Sequence, residues 1–478
     1  MEQNRRDFLK GTAWMGLAAM AAGCMSKGMK LTGGCGAPMQ GYADKPMETI
    51  RVGFVGLGSR GPSSARRVTL LPGVKIVALC DIDPARTAAA NDWRVKNGYP
   101  KAREYTGTEG YKRMCAADDI DVIYSVTSWE AHTPINCCAM ANGKHVFTEM
   151  PGALTVEDCW KQVEYSEKYR RHCMMLENCC YGEYEMLAFN LIKKGMLGEI
   201  VQAEVGYTHD QRALQYNPRD GVFWRIKRHQ THHGNYYPTH GLVPAGKCLD
   251  INRGDRFDYL VSMETKSASF EAYGAANFPK GDWRHDAKMV KGDINTCLLR
   301  TVNGKVLQLV HNVCTPTPYD RGNKYLGTKG TIRGIKDESY QICFETETGD
   351  KGAEKYFDAK RAQEVREAYK HPFWKTAGDI AKKVGGHGGM DFIMDLRWVY
   401  CLQNGLPMDT DVYDLATYSS IVELSERSVN AGSRPIEFPD YTRGGWKTAK
   451  PFTVDEFDIS KFDFGSRGIG AASAQQTT

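Results

Sequence analysis

A chain of 478 residues and 53.4 kDa is long enough for two or three domains. Hydrophobic residues make up 42% and charged residues 25%, a globular balance that excludes disordered and fibrous classes. A formal charge of +5 is too small and too dispersed to predict a nucleic-acid partner. No apolar run reaches the roughly 18 residues of a membrane-spanning helix.

The first residues predict an address rather than a fold. Arg5-Arg6-Asp7-Phe8-Leu9-Lys10 precedes a short apolar region from Gly11 to Gly23, the layout of a twin-arginine export signal over residues 1–24. Ala21-Ala22-Gly23-Cys24 resembles a lipoprotein cleavage box, which predicts a lipid anchor at Cys24. Ala stands where Leu is usual, so simple cleavage nearby stays open. The expected location is the periplasm, free or as a membrane-anchored lipoprotein. Residues 25–47, rich in Gly and Lys, predict a spacer, and residues 451–478 an extension and frayed tail.

Fifteen cysteines would suggest disulfides in an exported protein. Their placement does not: Cys80, Cys137 and Cys138 lie in apolar runs, as buried thiols do. Cys137-Cys138 and Cys179-Cys180 are vicinal pairs poorly suited to ordinary bridges. Twin-arginine export carries proteins already folded in a reducing compartment, which suits a chain that loads a cofactor first.

The run from Ile50 to Val55 predicts a buried strand, leading straight into Gly56-Leu57-Gly58-Ser59-Arg60-Gly61 and then a helix from Ser63 to Leu70. This is GxGxxG in its required strand–turn–helix setting, where a dinucleotide pyrophosphate meets the helix N-terminus. A second strand, Val74 to Cys80, ends at Asp81, twenty residues beyond Gly61. An acid there accepts hydrogen bonds from an adenosine ribose and favours NAD over its phosphorylated form. A third strand is expected at 121–127, a helix after His132, and a fourth strand at 145–148 running into Glu149-Met150-Pro151.

The segments from His132-Thr133-Pro134 to Glu149-Met150-Pro151 resemble the glucose–fructose oxidoreductase and inositol dehydrogenase superfamily. That resemblance implies an α/β architecture: an N-terminal Rossmann domain, here 48–172, then an α+β domain with an open, mostly antiparallel sheet, here 173–450. Leu326 to Ile332 would form one strand of that sheet. The superfamily also assembles through its exposed sheet face, which would make the chain a homo-oligomer. Its dehydrogenases usually carry Glu-Lys-Pro where this chain has Glu149-Met150-Pro151, and a thioether is neither acid nor base. Their Asp-x-x-x-His motif is matched by Tyr236-Tyr237-Pro238-Thr239-His240, which keeps the histidine and lacks the aspartate.

These departures fit a narrower family. The blocks Met174–Gly182, Gly234–Leu242, Ile251–Asp255 and Gly386–Asp391 closely resemble glycoside hydrolase family 109, over about Ile50 to Gly444. The resemblance implies an NAD-dependent α-N-acetylgalactosaminidase acting on a glycoside or glycoconjugate. Its route is transient oxidation at C3, elimination across C2–C1, water addition and re-reduction, an exception to the paired-carboxylate rule. A sugar oxidoreductase, the same mechanism on another sugar or anomer, and a non-catalytic sugar-binding lipoprotein are the alternatives.

Carried over position by position, the resemblance places cofactor contacts at Ser59, Arg60, Asp81, Trp129, Glu130, Ala131, His132, Glu149, Met150 and Asn178. It places substrate contacts at Tyr207, Arg225, Tyr237, Pro238, Thr239, His240 and Tyr319. His240 is the expected base at C2, since imidazole titrates near working pH. Tyr319 or Tyr181 is the expected proton donor to the leaving oxygen. No metal is expected: His229, His232 and His233 have one-face helical spacing, but no carboxylate or thiolate ligand accompanies them in sequence. Asp391 and Asp395 fall one turn apart on a helix stopped by Asn404-Gly405, where helix-start charge preference accounts for Asp391. His387 is a further candidate for lining the site.

Overall fold

The computed structural model describes residues 36–219, 221–335, 339–347 and 354–453. The export signal, Cys24 and the chain end beyond Thr453 lie outside the described residues.

Six short strands build the first sheet: β1 (Ile50–Val55), β2 (Val74–Asp81), β3 (Arg103–Thr106), β4 (Val122–Ser125), β5 (His145–Thr148) and β6 (Cys173–Met175). All pair in parallel, in the order β3-β2-β1-β4-β5-β6. This is the doubly wound dinucleotide-binding order, with a ligand crevice where the winding reverses between β1 and β4. The central strands are apolar because helices cover both faces. The edge strand β3, Arg103-Glu104-Tyr105-Thr106, is polar and partly exposed, so no apolar run announces it.

The second sheet has eight strands: β7 (Ile200–Thr208), β8 (Phe257–Glu264), β9 (Ile294–Thr301), β10 (Val306–Asn312), β11 (Lys324–Gly327), β12 (Gly330–Ile335), β13 (Ser339–Phe344) and β14 (Ile436–Glu437). Their order is β13-β12-β11-β7-β10-β9-β8-β14. Only β7 and β10 run parallel; every other pair is antiparallel. Burial alternates along β9 and β10, the mark of a sheet with one face on the core and one open. The stretch expected as one strand at Leu326–Ile332 is a hairpin: β11 turns at Thr328-Lys329 and returns as β12.

The helix Thr239–Cys248 lies on the inner face of this sheet. Gly241 is so close to β7 that a Cβ would meet the Gly206 nitrogen at 2.5 Å. That approach seats the first turn, with His240, directly on the sheet. The helix Met390–Asn404, almost wholly buried and closed by Gly405 in the left-handed region, runs back against the first domain. Its Trp398 packs on Tyr124 and Phe147 of that domain at 6.3 and 4.9 Å between rings.

Part of the expected spacer is instead a strap. The Met39 N–H donates to the Tyr413 hydroxyl (3.1 Å), Tyr42 donates to the Arg170 carbonyl (2.9 Å), and the Met47 N–H reaches Leu402 (2.9 Å). Asp44 meets Arg171 and the buried His145, both at 3.2 Å. Cysteines of the described residues are all free, and all but Cys138 are buried.

Candidate active site

The glycine loop fits a dinucleotide. Gly56 has φ +91°, and a Cβ there would lie 2.2 Å from the Val126 carbonyl oxygen, so only glycine makes the turn. At Gly58 a Cβ would meet only the Arg86 guanidinium, at 3.2 Å, which leaves an open cradle for a pyrophosphate. The Asp81 carboxylate, buried at the end of β2, accepts the Leu57 N–H at 2.7 Å and the Asp83 N–H at 3.0 Å. It thereby fixes the loop and stands at the ribose position. Ser59 is exposed at the loop tip.

Arg60 opens the following helix, and its guanidinium donates to Glu149, at the end of β5, and lies 3.5 Å from Asp391. Asn178, just past β6, donates to Asp391 at 2.5 Å, and His387 meets the same carboxylate at 3.0 Å. Arg67 adds Asp391 at 3.4 Å and Asp395 at 2.6 Å. Burial pushes the Asp391 carboxyl up, but His387, Arg60 and Arg67 outweigh it and hold the group well below its ordinary range. Asp391 is therefore the hub that joins two expected cofactor contacts, Arg60 and Asn178, a role that helix-start preference does not describe.

His132 is buried with Nδ1 2.8 Å from the Pro151 carbonyl and Nε2 3.2 Å from the Thr127 carbonyl, and its neutral ring donates to one of the two. Burial lowers its pKa. It clips two loops of the crevice together. Met150, next to Pro151, is buried; Ala131 is half-buried and Glu130 exposed on the helix of His132.

Trp129 carries the crevice into the second domain. Its ring lies 5.8 Å from Tyr237, 5.4 Å from Tyr236 and 4.4 Å from Trp224. The Arg225 guanidinium stacks over Trp129, Trp224 and Tyr237 at 5.5, 4.9 and 5.6 Å. Tyr207, at the end of β7, faces His240 edge-on at 5.1 Å and Tyr319 at 5.9 Å. Its hydroxyl accepts from Gln211 at 2.6 Å, and burial pushes its pKa to about 12. Tyr237 lies 5.0 Å from the His240 ring, and Pro238 and Thr239 are buried at the helix start. The expected substrate residues thus converge on one aromatic cluster.

The two proton-donor candidates part company. The Tyr319 oxygen accepts from Arg321 at 2.9 Å, and Arg321 is held by the buried Glu185 at 2.7 Å. Burial raises the Tyr319 phenol, so it keeps its proton. Tyr181 is a correction: it belongs to the main core, and its hydroxyl donates to Asp409 at 2.9 Å, whose carboxylate also holds Arg397. That proton is already committed.

A carboxylate not anticipated from sequence completes the cluster. Glu177, at the end of β6, places Oε1 2.7 Å from His240 Nδ1 and 3.0 Å from the Cys179 N–H. Its side chain is 0% exposed. Burial raises its pKa, but attraction to His240, the hydrogen bond to it and the Cys179 N–H win, leaving the carboxyl below its ordinary value. Like Asp81 at the end of β2 and Glu149 just after β5, it lies at the carboxyl end of a parallel strand, where ligand-facing groups of such sheets collect. That position was the available signal. Glu177, Cys179 and His240 offer ligand atoms within 4.8 Å of one another, and without an ion burial drives the Cys179 thiol well upward.

The histidine trio disperses. His229 is buried and shares a hydrogen bond with the Tyr236 hydroxyl, His232 meets Glu426 at 3.1 Å, and His233 meets Glu264 at 2.9 Å. A cavity of about 910 Å³ lies away from this chemistry, among the Arg253–Asp411 and Arg397–Asp409 ion pairs.

Residues 50–177 match the model of an oxidoreductase family with an NAD-binding Rossmann fold, and residues 181–448 match the C-terminal domain of glycosyl hydrolase 109. A glycosyl hydrolase family 109 protein of Solibacter usitatus is 41% identical over 451 residues, covering 94% of this chain and 99% of its own. A Bacteroides fragilis protein named alpha-N-acetylgalactosaminidase is 43% identical over 411 residues, 85% of this chain and 95% of its own. Among solved structures, levoglucosan dehydrogenase with NADH and levoglucosan superposes with a TM-score of 0.63 at 16% identity, covering 82% of this chain and 100% of that one. The WlbA dehydrogenase of Bordetella pertussis with NADH and UDP-GlcNAcA gives 0.59 at 18%, covering 83% and 99%. At that identity the two structures speak for the fold. The dinucleotide cradle and the two family matches lead to one assignment: the chain belongs to glycosyl hydrolase family 109, with an NAD-binding Rossmann domain ahead of the family's own C-terminal domain.

Proposed function

We propose that this protein is an NAD-dependent glycosidase that releases terminal α-linked N-acetylgalactosamine from glycoconjugates. The observation that carries the proposal is the meeting of an intact dinucleotide crevice with a histidine–carboxylate pair, where the usual dehydrogenase lysine is the buried Met150. When bound, NAD supplies reversible hydride exchange at the sugar's C3, which acidifies the C2 hydrogen. Asp81, Arg60, Glu149 and Asn178 hold and orient it. Arg225 and the faces of Tyr207, Tyr237 and Trp129 receive the pyranose and its acetamido group. His240 takes the C2 proton on Nε2, and the bonding pair left on C2 expels the C1 substituent as its oxygen accepts a proton from Tyr319. A water then adds at C1 and gives its proton to the Tyr319 phenolate, His240 returns its proton to C2, and with the hydride back on C3 no redox change accumulates.

The test is purified protein with its co-purifying nucleotide, given aryl glycosides that differ at C1 and C2. Cleavage of the α-N-acetylgalactosaminide without added cofactor supports the proposal. Accumulation of NADH with a stable keto sugar would make the protein an oxidoreductase instead. We further propose delivery to the periplasm through the Arg5-Arg6 signal; exchange of both arginines for lysine should hold the protein in the cytoplasm.

A further inference from the structure

The superfamily motif that carries His240 lacks its aspartate, and Tyr236 stands in that place with its hydroxyl turned to the buried His229. We infer that Glu177 replaces the missing acid from another element: it is the positioning residue that fixes the tautomer and orientation of His240. The inference rests on His240 as the C2 base.

The geometry is one-directional. Glu177 is fully buried, and the oxygen that faces His240 Nδ1 is the one that accepts the Cys179 N–H, so toward the ring it accepts. The 2.7 Å contact therefore places the imidazole proton on Nδ1 and leaves the lone pair on Nε2. A neutral histidine with the opposite tautomer would present an N–H to C2 and remove nothing. Once Nε2 has taken the C2 proton, the imidazolium lies against a carboxylate that stabilises it without accepting its proton. The groups that face His240 are the Glu177 carboxylate and Cys179 thiol beyond β6, the Tyr207 phenol from β7, and the Tyr237 phenol from its own segment. Burial keeps the thiol and both phenols protonated, so among the described residues Glu177 is the one charge in contact with the ring. Arg225 and Arg321 stand one ring away, over Tyr237 and Tyr319.

The experiment compares wild type, E177Q, E177D and H240A, each as the NAD-loaded protein. Readouts are kcat and KM on the aryl α-N-acetylgalactosaminide, bound NAD, the thermal midpoint, and the His240 ring signals in ¹⁵N-histidine-labelled protein, assigned by their loss in H240A. Removing the orienting acid of a comparable triad costs about 10⁴ in kcat through the wrong tautomer. E177Q should lose about 10²–10⁴-fold in kcat with KM within a few-fold. It should keep its NAD and lose the Nδ1–H signature, and E177D should recover part of both. If E177Q does not fold, E177D carries the same comparison with a shortened reach. E177Q with wild-type kcat, or a wild-type Nδ1–H signature in folded E177Q, overturns the inference; E177D with wild-type kcat does so where E177Q does not fold. H240A that retains full activity overturns the reading beneath it instead, so the two failures are separable.

Discussion

At the scale of single residues, a hydroxyl's partner decides its chemistry. Arg321 has only donors, so it occupies the Tyr319 oxygen and leaves the phenolic proton free for a leaving group. Asp409 has only acceptors and takes the Tyr181 proton. Tyr319→Phe should therefore lower kcat by about 10²-fold or more, the scale of a lost general acid. Tyr181→Phe should leave kcat alone and cost about 1–3 kcal/mol of stability, as a buried acceptor loses its donor. Steady-state kinetics and urea unfolding of both variants separate the roles. Sequence could not, because Asp409 lies 228 residues from Tyr181. His240 and Asp81 were legible because each sits inside a local motif. Glu177 was not, since its pairing with His240 spans 63 residues and joins two domains.

At the scale of elements, the glycine loop and the Met390–Asn404 helix form two sides of one device. Gly58→Ala should fold with near-wild-type stability, since only the flexible end of Arg86 must move. It should bind NAD at least about tenfold more weakly, because the methyl enters the space a pyrophosphate needs. Isothermal titration of nucleotide-stripped protein checks this. Asp391→Asn removes the shared anion from Arg60, Arg67 and His387 and should cost about 3–5 kcal/mol, as broken buried pairs do. Chemical denaturation measures it. The central strands and this helix were readable from apolar runs and a glycine stop. The edge strand β3 was not, being polar, and β11 and β12 were merged because glycines flank a short turn inside one β-prone stretch. The strap at Pro38–Met47 was missed because its anchors are scattered across Arg170, Leu402 and Tyr413.

At the scale of the whole molecule, buried neutral histidines set the acid limit. Burial lowers His371 to about 4 and His172 to about 3, and it lowers His132, His145, His229 and His311 as well. Each group binds its proton more readily in the unfolded chain. The stability it contributes is complete above pH 6.5 and falls as pH drops from there toward its folded value. His371 alone accounts for about 3 kcal/mol between pH 6.5 and 4. Glu177 and Asp391, with lowered values, add a loss that begins below about pH 4.5. The unfolding free energy should therefore decline steadily below pH 6.5, with net proton uptake on unfolding at pH 5, and calorimetry in buffers of different ionisation heat measures that uptake. The return of the C-terminal helices onto the first domain, which puts Asp391 among the cofactor contacts, left no local sequence signal.

In the proposed reaction the sugar's C2–H bond opens and closes during every turnover. The direct measurement is hydrolysis of the aryl α-N-acetylgalactosaminide in deuterated water, with mass spectrometry and NMR of the released sugar. Deuterium at C2 in the product, with unreacted substrate unlabelled or labelled only at that carbon, is the predicted result. Complete retention of the original C2 hydrogen in the released sugar would contradict it.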